Sequence, residues 1–214
     1  MNIRFLTKSS FIILMFLLII SNNCFAKQAS SINQIEKPDV AEDLRRSRDF
    51  IRSLNYQINN ISGESKEHDY QELRKIIKEN IDIRKMAKFV MGKHWQLASE
   101  EEKEVFIKEY STYLEHLYVS NLYKFKGNKV TVIGNQHLEN NSYLVSTRLS
   151  NNNDFTNMSY KLRKSNDSFC ITDITVDGIN INIIQRLKFE QKIEDHGLKN
   201  IIATLKQSNL NSNF

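Results

Sequence analysis

The chain has 214 residues, 40% hydrophobic and 26% charged, with a net charge of +5, six glycines, one proline and two cysteines. This composition excludes global disorder, because it provides enough apolar and aromatic material for a core. It also excludes collagen-like and low-complexity classes, because Gly and Pro are scarce, and a disulfide-dense scaffold, because cysteines are few. The length predicts one domain, and the scarcity of helix breakers predicts long helices.

The first 26 residues have the pattern of a secretory signal peptide. Arg4 and Lys8 form a short positive region, residues 11–20 are an unbroken apolar run, and Cys24-Phe25-Ala26 is a small-x-small ending. An uncleaved membrane anchor is the alternative reading. A helix of ten residues spans only about 15 Å, however, against about 30 Å of hydrocarbon. We therefore expect cleavage after Ala26 and export of the mature chain.

The mature chain gives no reason to expect a nucleic-acid partner. Removal of Arg4 and Lys8 lowers the net charge from +5 to +3, and no basic cluster with interleaved aromatic residues is present. Cys170 becomes the single thiol, and its neighbours Phe169 and Ile171 are typical of a strand. We expect a buried, inert thiol there rather than a nucleophile.

The helical part of the domain follows a polar segment, residues 27–38, that is predicted to be a flexible leader. Apolar residues at helical spacing predict a first helix from Val40 to Ile61, after Asp39 as its cap. A short amphipathic helix is predicted around residues 70–77. Asp82 is predicted to cap a third helix that ends at Gly92.

The helix that begins after Ser99 has the clearest start signal in the chain. Ser99 followed by Glu102 is a capping-box pattern, and the acidic residues of this turn lie where the helix dipole favours negative charge. Capping therefore accounts for these carboxylates better than a catalytic pair does. The helix is predicted to run to about Phe125, and its wide apolar surface predicts that it is covered on more than one side.

The hydrophobic period changes from 3.6 to 2 beyond Gly127, which predicts four strands joined by short polar turns. The predicted strands are 129–138, 143–149, 156–164 and 169–176. Successive strands with such turns form an antiparallel meander.

The helical pattern returns after Gly178, breaks at Gly197 and continues in a last short helix up to Leu205. Residues 208–214 are predicted to be a disordered tail, which leaves a domain over 39–207. The order of elements predicts an α+β fold, with several helices packed on a four-stranded antiparallel meander sheet.

The sequence contains no recognisable catalytic constellation. The five histidines are scattered without metal-ligand spacing, and there is neither a Gly-rich phosphate loop nor a nucleophile elbow. We therefore expect no enzyme, no metal, no cofactor and no catalytic residues. A helix layer on a sheet can still close tightly or hold a cavity, and periodicity does not separate these two outcomes.

Three short segments occur in one order along the chain. The first is IDIRKMAKFVMGKHW at 81–95, followed by Ala98-Ser99, the second is 118–127, and the third is DITVDGIN at 173–180. Arg186, Phe189 and the Gly197-Leu198 pair follow the third segment. Together, over about residues 40–207, these segments resemble the MlaC family, also called the toluene-tolerance family.

The sequence departs from the family pattern at Phe169, Thr172 and Gln185, where the family has Trp, Tyr and Tyr. These departures alter packing near the fourth strand but remove no catalytic group.

The resemblance implies a periplasmic phospholipid carrier with a lipid-sized apolar cavity between helices and sheet. Such a carrier shuttles lipid between an outer-membrane lipoprotein complex and an inner-membrane ABC transporter, the two Mla complexes, and so maintains outer-membrane lipid asymmetry. We expect a monomer. The alternatives are a hopanoid-pathway homologue that carries another lipid, an enzyme on a cavity-bearing scaffold, and an interaction module with a closed core.

The candidate cavity residues combine one face of the long helix with one face of the sheet. Three residues at i, i+3 and i+4 lie on the same face of the helix, and i, i+2 neighbours lie on the same face of each strand. The predicted lipid-contacting residues are Leu114, Leu117, Tyr118, Val145, Thr147, Tyr160, Leu162, Ile174 and Val176.

Overall fold

Helices precede and follow an antiparallel sheet in the computed structural model, which describes residues 39–151 and 154–211. The predicted signal peptide (1–26) and leader (27–38) lie outside the described residues. The helices are α1 Val40–Asn59, α2 Lys66–Asn80, α3 Ile83–Met91, α4 His94–Leu97, α5 Glu100–Phe125, α6 Ile181–His196 and α7 Leu198–Asn211. The strands are β1 Lys129–Leu138, β2 Ser142–Asn151, β3 Asp154–Ser165, β4 Ser168–Val176 and β5 Ile179–Asn180. The α+β prediction is confirmed.

Side-chain caps start two of the helices where the sequence predicts them. The Asp82 carboxylate accepts a hydrogen bond from the Lys85 backbone N–H at 3.0 Å, at the beginning of α3. At α5, the Ser99 hydroxyl accepts from the Glu102 N–H at 3.1 Å. The Glu102 carboxylate in turn accepts from the Ser99 N–H at 3.0 Å. The predicted capping box is therefore confirmed.

Ser99→Ala is expected to lower the free energy of unfolding by about 1 kcal/mol, because the Glu102 N–H at the start of α5 loses its side-chain acceptor. Ser99→Asp is the matched control, since aspartate also caps well and is expected to retain most of the stability. Urea unfolding followed by circular dichroism measures both variants. Equal stability of Ser99→Ala and the parent protein would contradict this role.

The sheet is an antiparallel meander in the order β1-β2-β3-β4-β5, with one short strand more than the four predicted. Val176 of β4 pairs with Ile179 of β5 across a two-residue turn, Asp177-Gly178. Both turn residues have positive φ angles, 46° and 82°, as a type I′ hairpin requires. A strand of two residues is too short to produce a period, which is why the sequence pattern does not reveal it.

One face of the sheet points toward the helices. Its central rows are Val145–Tyr160–Ile174 and Thr147–Met158–Val176, which are cross-strand partners on β2, β3 and β4. The pairing register shifts between Lys161 and Leu162 on β3 and between Val132 and Gly134 on β1. Such bulges bend and twist a strand, so they allow the sheet to curve beside the helices.

The long helix α5 is covered on several sides, as its apolar surface predicts. It packs against α2, α3 and α7. Phe106 and Tyr110 are fully buried in the core and contact the ring of Phe189 on α6, with ring centroids 5.9 and 5.6 Å apart. The Tyr110 hydroxyl also donates a hydrogen bond to Gln185 on α6.

Helix α7 corrects the predicted disordered tail, because it runs to Asn211 and so includes residues 208–211. The Asn209 side-chain amide donates to the Glu109 backbone carbonyl at 2.9 Å and to its carboxylate at 3.1 Å. These two bonds fix the last turns of α7 to α5. Residues 212–214 lie outside the described residues.

Helix α1 is bonded to the rest of the domain near both ends. Near its start, the buried Asp43 carboxylate accepts from the Tyr143 hydroxyl at 2.8 Å and from Lys164 Nζ at 2.6 Å. At its last residue, the Asn59 side-chain oxygen accepts from the Gly127 N–H at 2.9 Å. The helix is thereby attached to β2 and β3 at one end and to the α5–β1 connection at the other.

Cys170 is half-buried on β4 rather than fully buried as expected. Its thiol donates a hydrogen bond to the Arg163 carbonyl at 3.6 Å. Burial raises the pKa of this thiol, which disfavours the nucleophilic thiolate. The geometry is that of an unreactive side chain.

Candidate functional site

A cavity of about 400 Å³ lies between the helix-facing side of the sheet and helices α1, α2 and α5. This volume is within the range of about 300–1,000 Å³ that is typical of small-molecule sites. Its lining residues are Ile51, Leu54, Asn55, Ile58, Ile76, Ile77, Asn80, Ile81, Leu117, Tyr118, Asn121, Leu122, Phe125, Val130, Leu149, Thr156, Met158, Tyr160, Ile171, Ile174, Val176 and Ile181.

The helical side of the cavity is built from apolar residues at helical spacing. On α1, Ile51, Leu54 and Ile58 recur at i, i+3 and i+7, so they lie on one face. On α5, Leu117 and Phe125 are eight residues apart and belong to a second such stripe. Both stripes line the cavity, and together they make its helical wall mainly aliphatic and aromatic.

The sheet side of the cavity follows β3 and β4. Tyr160 and Ile174 are direct cross-strand partners, and so are Met158 and Val176. Because successive side chains on a strand alternate between faces, these four point to the same side of the sheet. They lie among the cavity's lining residues and complete its second wall.

Five of the nine predicted residues lie on the cavity wall. They are Leu117, Tyr118, Tyr160, Ile174 and Val176. Their contact with a lipid remains a prediction.

The structure places the other four predicted residues, Leu114, Val145, Thr147 and Leu162, outside the cavity. Leu114, Val145 and Leu162 are completely buried in the core. Thr147 is 1% exposed, and its hydroxyl donates to the Met158 carbonyl at 3.2 Å. They share the predicted faces, but they lie beside neighbouring side chains rather than beside open space. Their assignment to the cavity is therefore corrected.

The sequence pattern does not identify several of the lining residues. Met158 carried a usable signal, since it lies two positions before Tyr160 on the same strand face. The α1 residues Ile51, Leu54 and Ile58 gave only the pattern of an amphipathic helix. That pattern shows an apolar face but does not indicate which other element the face covers.

The lining carries no charged side chain, since its polar members are asparagines, one threonine and two tyrosines. Burial raises the pKa of Tyr160 to about 12. Burial also raises the pKa of Tyr118, and the nearby Asp173 charge acts in the same direction. Both phenols are therefore neutral at physiological pH, so the wall offers no acid–base pair.

The described residues do not gather a metal-binding group. Within 39–151 and 154–211, no three His, Cys, Asp or Glu residues lie together as ligands for an ion. In the same part of the chain, no helix is both long enough and apolar enough to cross a membrane.

The sequence model that describes the MlaC protein family matches this chain over residues 47–207. The chain belongs to the MlaC family. This confirms the resemblance seen in the sequence, and the matched range contains every residue of the cavity wall. No curated protein matches the chain in sequence.

Among solved structures, this MlaC-family chain is similar to a phospholipid-binding protein from Ralstonia solanacearum, determined in complex with a phospholipid. The TM-score is 0.66 at 15% sequence identity, and the match covers 78% of this chain and 97% of the other. At so low a sequence identity, the structural match shows that the two proteins share a fold and nothing more.

Proposed function

We propose that the chain is an exported phospholipid carrier, which holds acyl chains in the apolar cavity and leaves the headgroup near solvent. The observation that carries the proposal is the cavity of about 400 Å³ with no charged side chain in its wall. Burial of each CH₂ group contributes about 0.8 kcal/mol, so an apolar wall binds an acyl chain without any specific polar contact.

The comparisons support the same ligand class. The chain is a MlaC-family member, and the Ralstonia solanacearum structure of the same fold was determined with a phospholipid. A carrier function needs no reacting group, and the neutral phenols of Tyr118 and Tyr160 supply none. Cavity, fold and family thus favour binding and release over catalysis.

The proposed route runs through the periplasm, between an outer-membrane lipoprotein complex and an inner-membrane ABC transporter. This route would maintain the lipid asymmetry of the outer membrane. Family membership and the signal-peptide pattern of residues 1–26 support it. Mass spectrometry of the exported protein should find Lys27 as its first residue, and loaded protein should transfer lipid to proteoliposomes that contain the transporter.

The decisive experiment is organic extraction of protein purified natively from the periplasm, followed by mass spectrometry of the extract. We expect about one phospholipid per protein, together with uptake of phospholipid from liposomes by delipidated protein. Recovery of a hopanoid or another polycyclic lipid would replace phospholipid as the cargo. Absence of any extracted lipid, combined with no uptake from liposomes, would overturn the carrier function.

A further inference from the structure

A second, polar pocket of about 350 Å³ lies between the C-terminal half of α5 and the end of α7. Helix α5 contributes His116, Ser120, Asn121 and Lys124 to it, and α7 contributes Ser208 and Asn209. No carboxylate lines this pocket. Its composition therefore differs from that of the apolar cavity.

The two spaces adjoin one another along α5. Leu117 and Asn121, which are one helical turn apart, line both of them. Asn121 and Phe125 are the exposed members of the apolar cavity's wall. The exposed part of the apolar cavity's wall therefore lies on the last two turns of α5, beside the polar pocket, and it marks the opening of the cavity.

Lys124 supplies a positive charge beside this opening. It is exposed, and among the described residues its ammonium group has no hydrogen-bond or ion-pair partner. The neighbouring lysine, Lys126, is instead bonded to Asp69 at 2.7 Å. An unpaired ammonium with adjacent hydroxyl and amide groups is a common arrangement for binding a phosphate, because all of these groups donate hydrogen bonds to its oxygens.

We propose that this polar pocket binds the phosphate of a phospholipid headgroup, with Lys124 as the charged contact and Ser120 and Asn121 as hydrogen-bond donors. The Asn121 amide donates one N–H to the Leu117 carbonyl at 2.8 Å and keeps the second N–H for the phosphate. The acyl chains of the same lipid occupy the adjoining apolar cavity, so the proposal rests on the proposed function. The contact is to the phosphodiester that all phospholipids share. The carrier thus distinguishes phospholipids from neutral lipids with the same chains, without selecting one headgroup.

The test compares two lipids with identical chains in the same vesicles. Delipidated full-length mature protein is incubated with vesicles of dioleoylphosphatidylglycerol that contain roughly a tenth dioleoylglycerol, then separated and extracted. The parent protein should be enriched in the phospholipid relative to the vesicle composition. Lys124→Gln should reduce this enrichment about two- to fivefold, the range expected for a partly exposed ion pair. High salt should reduce the enrichment of the parent protein in the same direction.

Lys108→Gln is the matched control, because Lys108 is an exposed lysine on the same helix and lies outside both pockets. Thermal melts of both variants verify that they fold. Binding of neither lipid by the parent protein would refute the proposed function itself. Uptake of both lipids with equal enrichment in Lys124→Gln and Lys108→Gln would overturn the headgroup site and leave the carrier function intact.

Free inorganic phosphate is the third ligand to compare, because it has the phosphate chemistry of the headgroup but no acyl chains. Phosphorus NMR of the protein with inorganic phosphate measures its binding directly. If Lys124→Gln weakens the binding of inorganic phosphate but leaves lipid enrichment unchanged, the pocket takes free phosphate and the headgroup assignment is overturned.

Discussion

Val176→Trp is expected to lower the phospholipid bound to the purified protein at least tenfold, with little change in the melting temperature of the delipidated protein. Val176 lies on the cavity wall near the end of β4, so an indole ring at this position extends into open space. Displacement of only two acyl CH₂ groups costs about 1.6 kcal/mol, which corresponds to roughly a tenfold loss of affinity. Mass spectrometry measures the lipid content of each purified protein, and thermal melting is measured on the same preparations after delipidation.

Val145→Trp is the matched control, because Val145 lies on the same face of the sheet but is completely buried in the core. Its larger side chain finds no open space, and such overpacking costs about 1–3 kcal/mol or more. We expect this variant to unfold at a lower temperature. If Val176→Trp also loses stability and keeps its lipid, Val176 belongs to the packed core rather than to the binding site.

Asp43→Ala is expected to reduce the free energy of unfolding by about 3 kcal/mol, because it leaves Lys164 without its partner. The Asp43 side chain is only 3% exposed, whereas that of Lys164 is 22% exposed. Because Lys164 is partly solvated, the expected loss is at the lower end of the range for breaking a buried ion pair. The Tyr143 hydroxyl loses its acceptor as well. Chemical denaturation measures the loss.

Asp49→Ala on the same helix provides the comparison. Asp49 forms ion pairs with Arg45 and Arg52, but all three side chains are at least 45% exposed. Exposed pairs contribute at most about 1 kcal/mol, so this variant should be nearly as stable as the parent protein. Equal losses in Asp43→Ala and Asp49→Ala would mean that the buried pair does not hold α1 to the sheet.

The same pair gives a pH dependence with a definite sign. Burial raises the pKa of Asp43, but hydrogen bonds from Lys164 and Tyr143 lower it by more, and the net pKa is below the usual value. Its contribution is therefore complete above the unfolded-state pKa of about 4, and it is lost as the pH falls through the folded-state pKa. The stability curves of the parent protein and Asp43→Ala should converge only in acid and remain parallel between pH 5 and 8.

Local signals in the sequence located most elements of the fold. Asp82 and Ser99 are themselves the N-cap residues of α3 and α5, so the starts of these helices follow from neighbouring residues alone. The alternating pattern of β1 likewise predicts its full range, Lys129–Leu138. The end of α7 was missed because Asn209 is held by Glu109, a hundred residues earlier in the chain. A bond over that separation leaves no local pattern.

The cavity was only partly predictable, for a related reason. Periodicity gives the direction in which a side chain points, but not how far along an element the packing gives way to open space. Leu114 and Leu117 illustrate this, since they lie three residues apart on α5, yet the first is in the closed core and the second is on the cavity wall. That difference depends on which side chains of α1 and α2 lie opposite, and this is a property of the assembled fold.

The attachment of α1 near both of its ends has a consequence for the rate at which the proposed carrier takes up lipid. A helix bonded through Asp43 at one end and Asn59 at the other does not swing outward as a rigid unit. Space for an entering chain then comes from local rearrangement of wall side chains such as Ile58, rather than from the microsecond-to-millisecond motion of a whole element. We therefore expect single-exponential lipid uptake, limited by the departure of the lipid from its membrane rather than by a slow opening of the protein.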